Sequence, residues 1–513
     1  MSRATDAIDD APEAEAERPA EAMVVTSHPL AVEAAAEILR TGGHAVDAAI
    51  CAAAVLGVVD PMSTGVGGDC FAMVWHEHAL YGFNGSGRAA ARATLEDLRA
   101  RGLESVPERG VLPITVPGAV DAWWQLHARF GKASWESLIT PAWEAARDGF
   151  AVTPVVARDW ARATHGYQPV PVPGQVYVQE QLAHSLERIL NEGRAAFYEG
   201  ALADAIAARV AEEDGWLQKS DLEAHRGEWV EPLEGVYRGH PVYELPPNGQ
   251  GIVVLQALAM LEELSLRDMD AVEQTHVQIE AIKLAFADAR VHVGDPQRSD
   301  PARMLDYAYI QERVACIGDR ARREVVSGLP AGDTVYVAVV DSQGNCCSLI
   351  NSLYMHFGSG VVVDGMCLQN RGVLFHSDPA HPSALGPGRR PYHTIIPAMV
   401  FRGLAPWLVF GVVGGYQQPQ AQVQLLHRLI DRGEALQAAV DAPRFRWIEG
   451  AKVQLESGTD PALIEGLRAR GHEVIEGDAF GGFGGAQAIQ IEPEGLVGAS
   501  DPRKDGRAKR VAD

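Results

Sequence analysis

The chain has 513 residues, 47% of them hydrophobic and 22% charged, the composition of a folded globular protein and not of a fibrous or low-complexity one. A formal charge of −24 at neutral pH argues against nonspecific binding to nucleic acid or to an anionic membrane surface. Any anionic ligand must therefore be held by a local group of basic side chains against an unfavourable mean field.

Residues 1–22 carry Asp9, Asp10, Glu13, Glu15, Glu17 and Glu21 among many alanines and lack the apolar core of a signal peptide, so a disordered acidic tail and a cytoplasmic protein are expected. Residues 23–26 read as a strand and residues 30–40 as a helix stopped by Gly42-Gly43. Asp47 opens a second, almost wholly apolar helix that must be buried, yet it is too short to span a membrane and ends at Asp60-Pro61. Strands over 71–75 and 80–83 form a hairpin, and Thr94 with Asp97 resembles a capping box for a helix through Arg101. Two amphipathic helices follow, with Trp123 and Trp124 as packing residues, and Thr153-Pro154 starts the next helix. Strands resume at Trp229, through Tyr237 and over 241–245. Pro246-Pro247-Asn248-Gly249-Gln250-Gly251 then leads into helices over 252–264 and from Gln274 to about Val293. Residues 297–333, rich in Arg and Gly, are expected to be a mobile connector. Beyond it the residues alternate from Thr334 to Val340, turn at Asp341-Ser342-Gln343-Gly344 and return as a strand from Cys346 to Leu353. Strands over 399–401 and 407–413 end at Gly414-Gly415, and a helix begins near Pro419 and runs to Arg432.

Six cysteines, Cys51, Cys70, Cys316, Cys346, Cys347 and Cys367, show neither metal-ligand spacing nor a dense disulfide framework, which fits buried thiols in a reducing compartment. Cys346 and Cys347 should point to opposite faces of their strand. The histidines include no HExxH pair, and the Gly-rich turns lack both a Walker Lys and the acidic follower of a dinucleotide site. No metal and no cofactor are expected.

The stretch GDTVYVAVVDSQGN, then FGSGVVV and QNRGVLF, resembles the γ-glutamyltransferase family of N-terminal-nucleophile hydrolases. GGHAVDAA followed by GVGGDCF, the PP-x-x-x-G turn, APRF at 442–445 and GASDPR at 498–503 carry the resemblance from about Met23 to Arg503. It implies a four-layer αββα sandwich in which the precursor cuts itself before a Thr. That Thr then serves as nucleophile, with its freed α-amino group as base. The cut is thereby placed between Asp333 and Thr334, giving a large subunit of residues 23–333, with a cleavable connector at about 297–333, and a small subunit of 334–513. The two would form one interlocked heterodimer that could dimerise further. Most bacterial members of the family are exported, so the missing signal is a departure.

The resemblance also implies site residues. Gly414 and Gly415 fall at the oxyanion pair, and Ser352 at a second hydroxyl near the nucleophile's amine. Read without gaps, the Arg that grips a γ-glutamyl α-carboxylate falls at Ser86, with Arg88 two residues later. The Asp for the α-amino group falls at Leu374, and its Gln neighbour at Arg371 beside Asn370. An Asn falls at Tyr354, and two serines fall at His393 and Thr394. Losing the Asp removes the reason to prefer an ammonium group, and gaining Arg371 points to a carboxylate or oxo group. DTVY, QNRG, PYHTIIPA and GGxxQPQ look closer to the family's amidohydrolase branch, with oxamate amidohydrolase and the glutaryl-cephalosporin acylases, than to its glutathione-cleaving members. The expected substrate is a small amide with an acidic acyl group. A true γ-glutamyl transpeptidase, or an unprocessed and inactive relative that only binds a metabolite or partner, remain the alternatives.

Overall fold

A computed structural model describes residues 21–163, 169–324, 333–478 and 482–512. Two large sheets lie face to face. The first has seven strands in the order Arg507–Val511, Ala22–Thr26, Asp333–Val340, Cys346–Tyr354, Asp69–His76, Ala79–Gly85, Glu228–Val230. The second has six, in the order Gly495–Ser500, Gly485–Glu492, Ala405–Val413, Ala398–Arg402, His240–Glu244, Leu233–Tyr237. Both are antiparallel throughout.

Three apolar clusters fill the spaces between four layers, and strand alternation decides which cluster each side chain joins. Val335, Val337 and Val339 face the helices Pro29–Arg40 and Ala45–Val59. Tyr336, Ala338 and Val340 face the second sheet, where they meet Met399, Val409 and Ile489. The outer face of the second sheet packs on the helices Gly251–Glu262, Ala271–His292 and Gln417–Leu426. This is the αββα sandwich. Its middle layer requires close approach, since a Cβ on Gly411 would run into the Tyr336 ring. Tyr336 in turn places its hydroxyl 2.7 Å from Ser348 Oγ.

Most element boundaries agree with the sequence pattern, and the differences have local causes. The apolar helix starts at Ala45, ahead of Asp47, because His44 caps it and the Asp47 carboxylate accepts the His44 amide at 2.9 Å. The late helix starts at Gln417, with Pro419 inside its first turn, and relaxes into a π-helical segment at His427–Asp431. Cys346 joins the inter-sheet cluster and Cys347 the helix-facing one, and the described residues form no disulfide. Trp123 is buried while Trp124 is partly exposed, edge-on to Trp135.

Two expectations meet the edge of the described residues. Residues 1–20 of the acidic tail lie outside them, whereas Ala22 already pairs with Val511. Within the expected connector, residues 325–332 lie outside them. Its earlier part is helical at Pro301–Met304 and Tyr307–Val314, with Met304 and Ile310 buried in the core of the second sheet's outer face. Those apolar anchors dock the segment, and its Arg and Gly content did not disclose them. Among the described residues no helix is long and apolar enough to cross a membrane.

Candidate active site

Thr334 is the second residue of the central strand Asp333–Val340, buried between the sheets with its Oγ1 3.1 Å from Ser352 Oγ. Ser352 reaches it because the ladder with the next strand shifts register between Asn351 and Tyr354. Such a bulge re-aims one side chain without ending the sheet. The Tyr354 amide donates to Ser352 Oγ at 2.9 Å, and Tyr354 itself takes φ +79°, a conformation that costs a side chain unless its surroundings hold it.

A second edge approaches from the other sheet. The strand Ala405–Val413 ends at Gly414 and Gly415, with φ +116° and +59°, and the helix Gln417–Leu426 follows. Left-handed backbone at both positions is what glycine supplies. Neither glycine amide donates to an acceptor among the described residues, whereas both carbonyls are engaged, with the Gln417 amide at 3.0 Å and the Gln418 amide at 3.2 Å. Gln418 Nε2 lies 3.4 Å from Thr334 Oγ1 and its Oε1 accepts the Ile396 amide at 3.1 Å. The helix start, with its positive end of the backbone dipole, is therefore at Thr334.

These contacts close into a circuit. Below Tyr354, at 4.8 Å from the ring centroid, lies the guanidinium of Arg371, which donates to Thr394 Oγ1 at 2.6 Å. Gln250 Nε2 then bridges the Thr394 carbonyl at 2.6 Å and the Gly415 carbonyl at 2.9 Å, which returns to Gln418 and Thr334. Arg371 is fully buried, and its Nε and Nη2 have no hydrogen-bond partner among the described residues. Burial pushes its pKa down to about 10. Its counterion is internal: Asp69 Oδ2 lies 3.9 Å from Arg371 Nε and 3.1 Å from His393 Nε2, while Asp69 Oδ1 accepts the amides of Gly87 and Gly118. His393 is buried, stacked on Phe71, and held down to about pKa 4 by desolvation and then by the Arg371 charge.

Next to this circuit is a cavity of about 380 Å³. Tyr354, Leu374 and Tyr416 form part of its wall, Tyr416 being the residue after Gly415. Arg290, His376 and His381 are its basic lining residues, and no carboxylate among the described residues lines it.

Residues 31–511 match the family model for gamma-glutamyltranspeptidase. The chain belongs to this family. A glutathione hydrolase-like YwrD proenzyme from Bacillus subtilis is 38% identical over 95% of this chain and 98% of its own length. An oxamate amidohydrolase proenzyme from Klebsiella pneumoniae is 35% identical over 95% and 98%. Among solved structures, a cephalosporin acylase from Bacillus halodurans superposes with a TM-score of 0.90 at 39% identity, over 99% of each chain. This γ-glutamyltranspeptidase-family chain is thus an enzyme, a hydrolase or acyltransferase of the N-terminal-nucleophile type whose relatives are made as proenzymes.

The residues singled out from sequence divide into two groups. Thr334, Ser352, Tyr354, Arg371, Thr394 and Gly415 lie on the circuit, with Gly414 at its edge and His393 joined through Asp69. Arg88 and Asn370 do not. Arg88 pairs with Glu228 and donates to the Gly388 carbonyl, and Asn370 braces the chain by donating to the Glu108 carbonyl and accepting the Met355 amide. Arg371 does not line the cavity. It lies beneath Tyr354, where Thr394 Oγ1 accepts one of its N–H groups and Asp69 is its nearest counter-charge. Gln418, Gln250, Asp69, Tyr416 and Arg290 escaped sequence reasoning. The run Gly414-Gly415-Tyr416-Gln417-Gln418 could have flagged Gln418, since amide side chains in a helix's first turn are placed to reach back across its N-terminus. A separate cluster, His276, Glu280 and His472, brings potential metal-ligand atoms within 4.8 Å of one another. Lys283 already holds Glu280 at 2.6 Å, and the two imidazoles hydrogen-bond at 2.8 Å.

Proposed function

We propose that the chain cuts itself between Asp333 and Thr334, and that Thr334 Oγ then attacks the carbonyl of a small amide with an acidic acyl group. The new α-amino group of Thr334 accepts the hydroxyl proton and passes it to the departing amine, because a threonine hydroxyl is too weak a nucleophile without an adjacent base. The Gly414 and Gly415 amides receive the charge that develops on the carbonyl oxygen. Water, activated by the same amine, hydrolyses the acyl-Thr334 ester, and an amine entering in place of water gives transfer. Ser352 and Gln418 fix the Thr334 rotamer.

The observation that carries this reading is the convergence on one hydroxyl of Ser352 Oγ at 3.1 Å, Gln418 Nε2 at 3.4 Å and a helix start preceded by two glycine amides that no described acceptor engages. An acidic acyl group is favoured over a γ-glutamyl one because the cavity offers no carboxylate for an ammonium. The similarity to an oxamate amidohydrolase and a cephalosporin acylase supports the same choice. Similarity to the glutathione hydrolase-like relative keeps γ-glutamyl donors as the second reading.

Thr334→Ala tests the assignment. Wild type should run as two fragments, and the smaller should begin with Thr334 on N-terminal sequencing. The variant should remain a single chain of 55.1 kDa without turnover. A fragment that starts at any other residue overturns it.

A further inference from the structure

Ser352 owes its place to a bulge, and the residues that hold the bulge come from another segment. Tyr354 closes it at φ +79°, a left-handed conformation that a residue with a large side chain keeps only when its neighbours over-determine it. Two consecutive residues do so. Asn370 takes the backbone: its amide donates to the Leu353 carbonyl at 3.4 Å and its Oδ1 accepts the Met355 amide at 3.3 Å, which ties down the peptide on each side of Tyr354. Arg371 takes the side chain, with its guanidinium carbon 4.8 Å from the centroid of the Tyr354 ring. Both members of this stack are fully buried, and a cation is held most strongly over a ring face where water is excluded. The guanidinium is fixed in turn by Thr394 Oγ1 at 2.6 Å and by the Asp69 carboxylate at 3.9 Å. Asp69 is itself pinned by the amides of Gly87 and Gly118, each at 3.1 Å.

We infer that Arg371 is a positioning residue for the nucleophile and acts through Tyr354: the stack holds the Tyr354 backbone, the Tyr354 amide holds Ser352, and Ser352 holds Thr334. This rests on the reading of Thr334 as the nucleophile and adds the part that keeps it in place. The Tyr354 amide, 2.9 Å from Ser352 Oγ, occupies one lone pair of that oxygen and sets its rotamer, and Ser352 Oγ lies 3.1 Å from Thr334 Oγ1. If the ring left the guanidinium, Tyr354 would relax toward negative φ, the peptide before it would turn, and its amide would leave Ser352. Acyl transfer tolerates little of this, since a displacement of about 1 Å can cost about a hundredfold in rate. A guanidinium that gripped the substrate would have to face the cavity, whereas Arg371 lies under the ring and does not line it. The two roles also differ in kinetics. A grip on the substrate changes KM and re-ranks substrates, while support of Thr334 acts on kcat for every substrate and on the self-cut, in which no added substrate takes part.

The experiment is a double-mutant cycle on Tyr354→Leu and Arg371→Gln. It is read as the rate at which the precursor cuts itself, and as kcat and KM of the processed enzyme on glutaryl and γ-glutamyl anilide. Each single change should slow the self-cut and lower kcat roughly 10-fold on both anilides with KM within about twofold, and the double variant should be no slower than the slower single. Tyr354→Phe, which keeps the ring and the stack, should restore most of the rate that Tyr354→Leu loses. Arg371→Lys keeps a positive charge beside Asp69 and gives a second cycle, which stands even where the neutral variant does not fold. Losses that multiply in the double variant overturn the inference, because the two residues then act separately. So does a loss in Arg371→Gln confined to KM or to one anilide, or a self-cut that Arg371→Gln leaves at the wild-type rate, and either result places the guanidinium at the substrate. A Thr334→Ala precursor that still cuts itself or turns over either anilide would instead overturn the nucleophile reading, and the inference with it.

Discussion

The surroundings of Thr334, the proposed nucleophile, and the cavity near it are built on opposite principles. Around Thr334 the parts are small side chains and backbone: a strand start, a bulge at Ser352, two glycines and a helix N-terminus, from the hairpin 333–354 and the turn 413–418. The cavity is built from large side chains on scattered segments, among them Arg290 on a helix, Tyr354 at a strand end, Leu374 in a 3₁₀ turn and Tyr416 past the glycines. Backbone geometry cannot be tuned by degrees, so changes at the nucleophile should abolish chemistry for every substrate alike. Side-chain walls can be tuned, so changes in the cavity should re-rank substrates while the chemistry persists.

The largest effect that tests this contrast, after loss of the nucleophile, belongs to Gly415. At φ +59° a β-branched residue is strained whatever space surrounds it. Gly415→Val should turn the peptide and displace a donor, lowering kcat about a hundredfold or more on every anilide. Labelling of Thr334 by an acylating inhibitor should persist. A loss confined to one substrate class would break the contrast.

A smaller and selective effect is expected in the cavity. Glutaryl and γ-glutamyl anilide differ only by an ammonium group, for which no carboxylate lines the wall. Glutaryl anilide should be the better substrate by roughly 5- to 150-fold in kcat/KM, the cost of burying an unpartnered polar group. Leu374→Asp, which puts a carboxylate on that wall, should narrow the gap. A tenfold preference of wild type for γ-glutamyl anilide would mean that an acidic residue outside the described lining grips the amine.

The same contrast explains what the sequence disclosed. Alternation from Thr334 to Val340, the turn at Asp341 to Gly344 and the glycine pair after Val413 are contiguous patterns, so these strands and turns were readable, while a catalytic role for Thr334 and the glycines came only from the family resemblance. Ser352 was singled out because the family's second hydroxyl falls at its position, and the structure puts it 3.1 Å from Thr334 Oγ1. Arg290 was not, since nothing in a helix of mixed pattern tells which turn will border a cavity whose other walls, Phe286 and Val293 apart, come from residues more than 60 positions away. Arg371 was read as facing substrate because, without gaps, it falls at a pocket position of the family. Its true partner, Asp69, lies some 300 positions earlier, and only the folded ladder between 69–76 and 346–354 brings them together.

The smallest effect concerns acid, and it belongs to the floor of the recognition side. Thr334, Ser352 and the glycine amides carry no side-chain charge that changes between pH 4 and 7, whereas His393 sits buried and neutral with a pKa near 4, against 6.5 for an ordinary histidine. The groups facing it are Asp69, which favours its protonation, and Arg371 and Arg390, which oppose it. The folded-state pKa is the lower one, so between pH 6.5 and 4 the unfolded chain takes up a proton that the folded chain refuses, and stability falls as pH falls. From this residue the loss should be on the order of 1 kcal/mol by pH 5.5, relative to pH 7.5, and about 3 kcal/mol once pH is well below 4. His225, lowered to about 4 by burial, adds a slope of the same sign that remains in any His393 variant. The variant to compare is His393→Gln, with urea unfolding at pH 7.5 and 5.5. It should be less stable than wild type at pH 7.5, because it gives up the stacking on Phe71 and the contact with Asp69. Its deficit should shrink by about 1 kcal/mol at pH 5.5, since one proton-linked penalty is gone. Parallel losses at the two pH values would mean that His393 does not titrate on unfolding, and that the acid sensitivity of this fold resides away from the floor of the pocket.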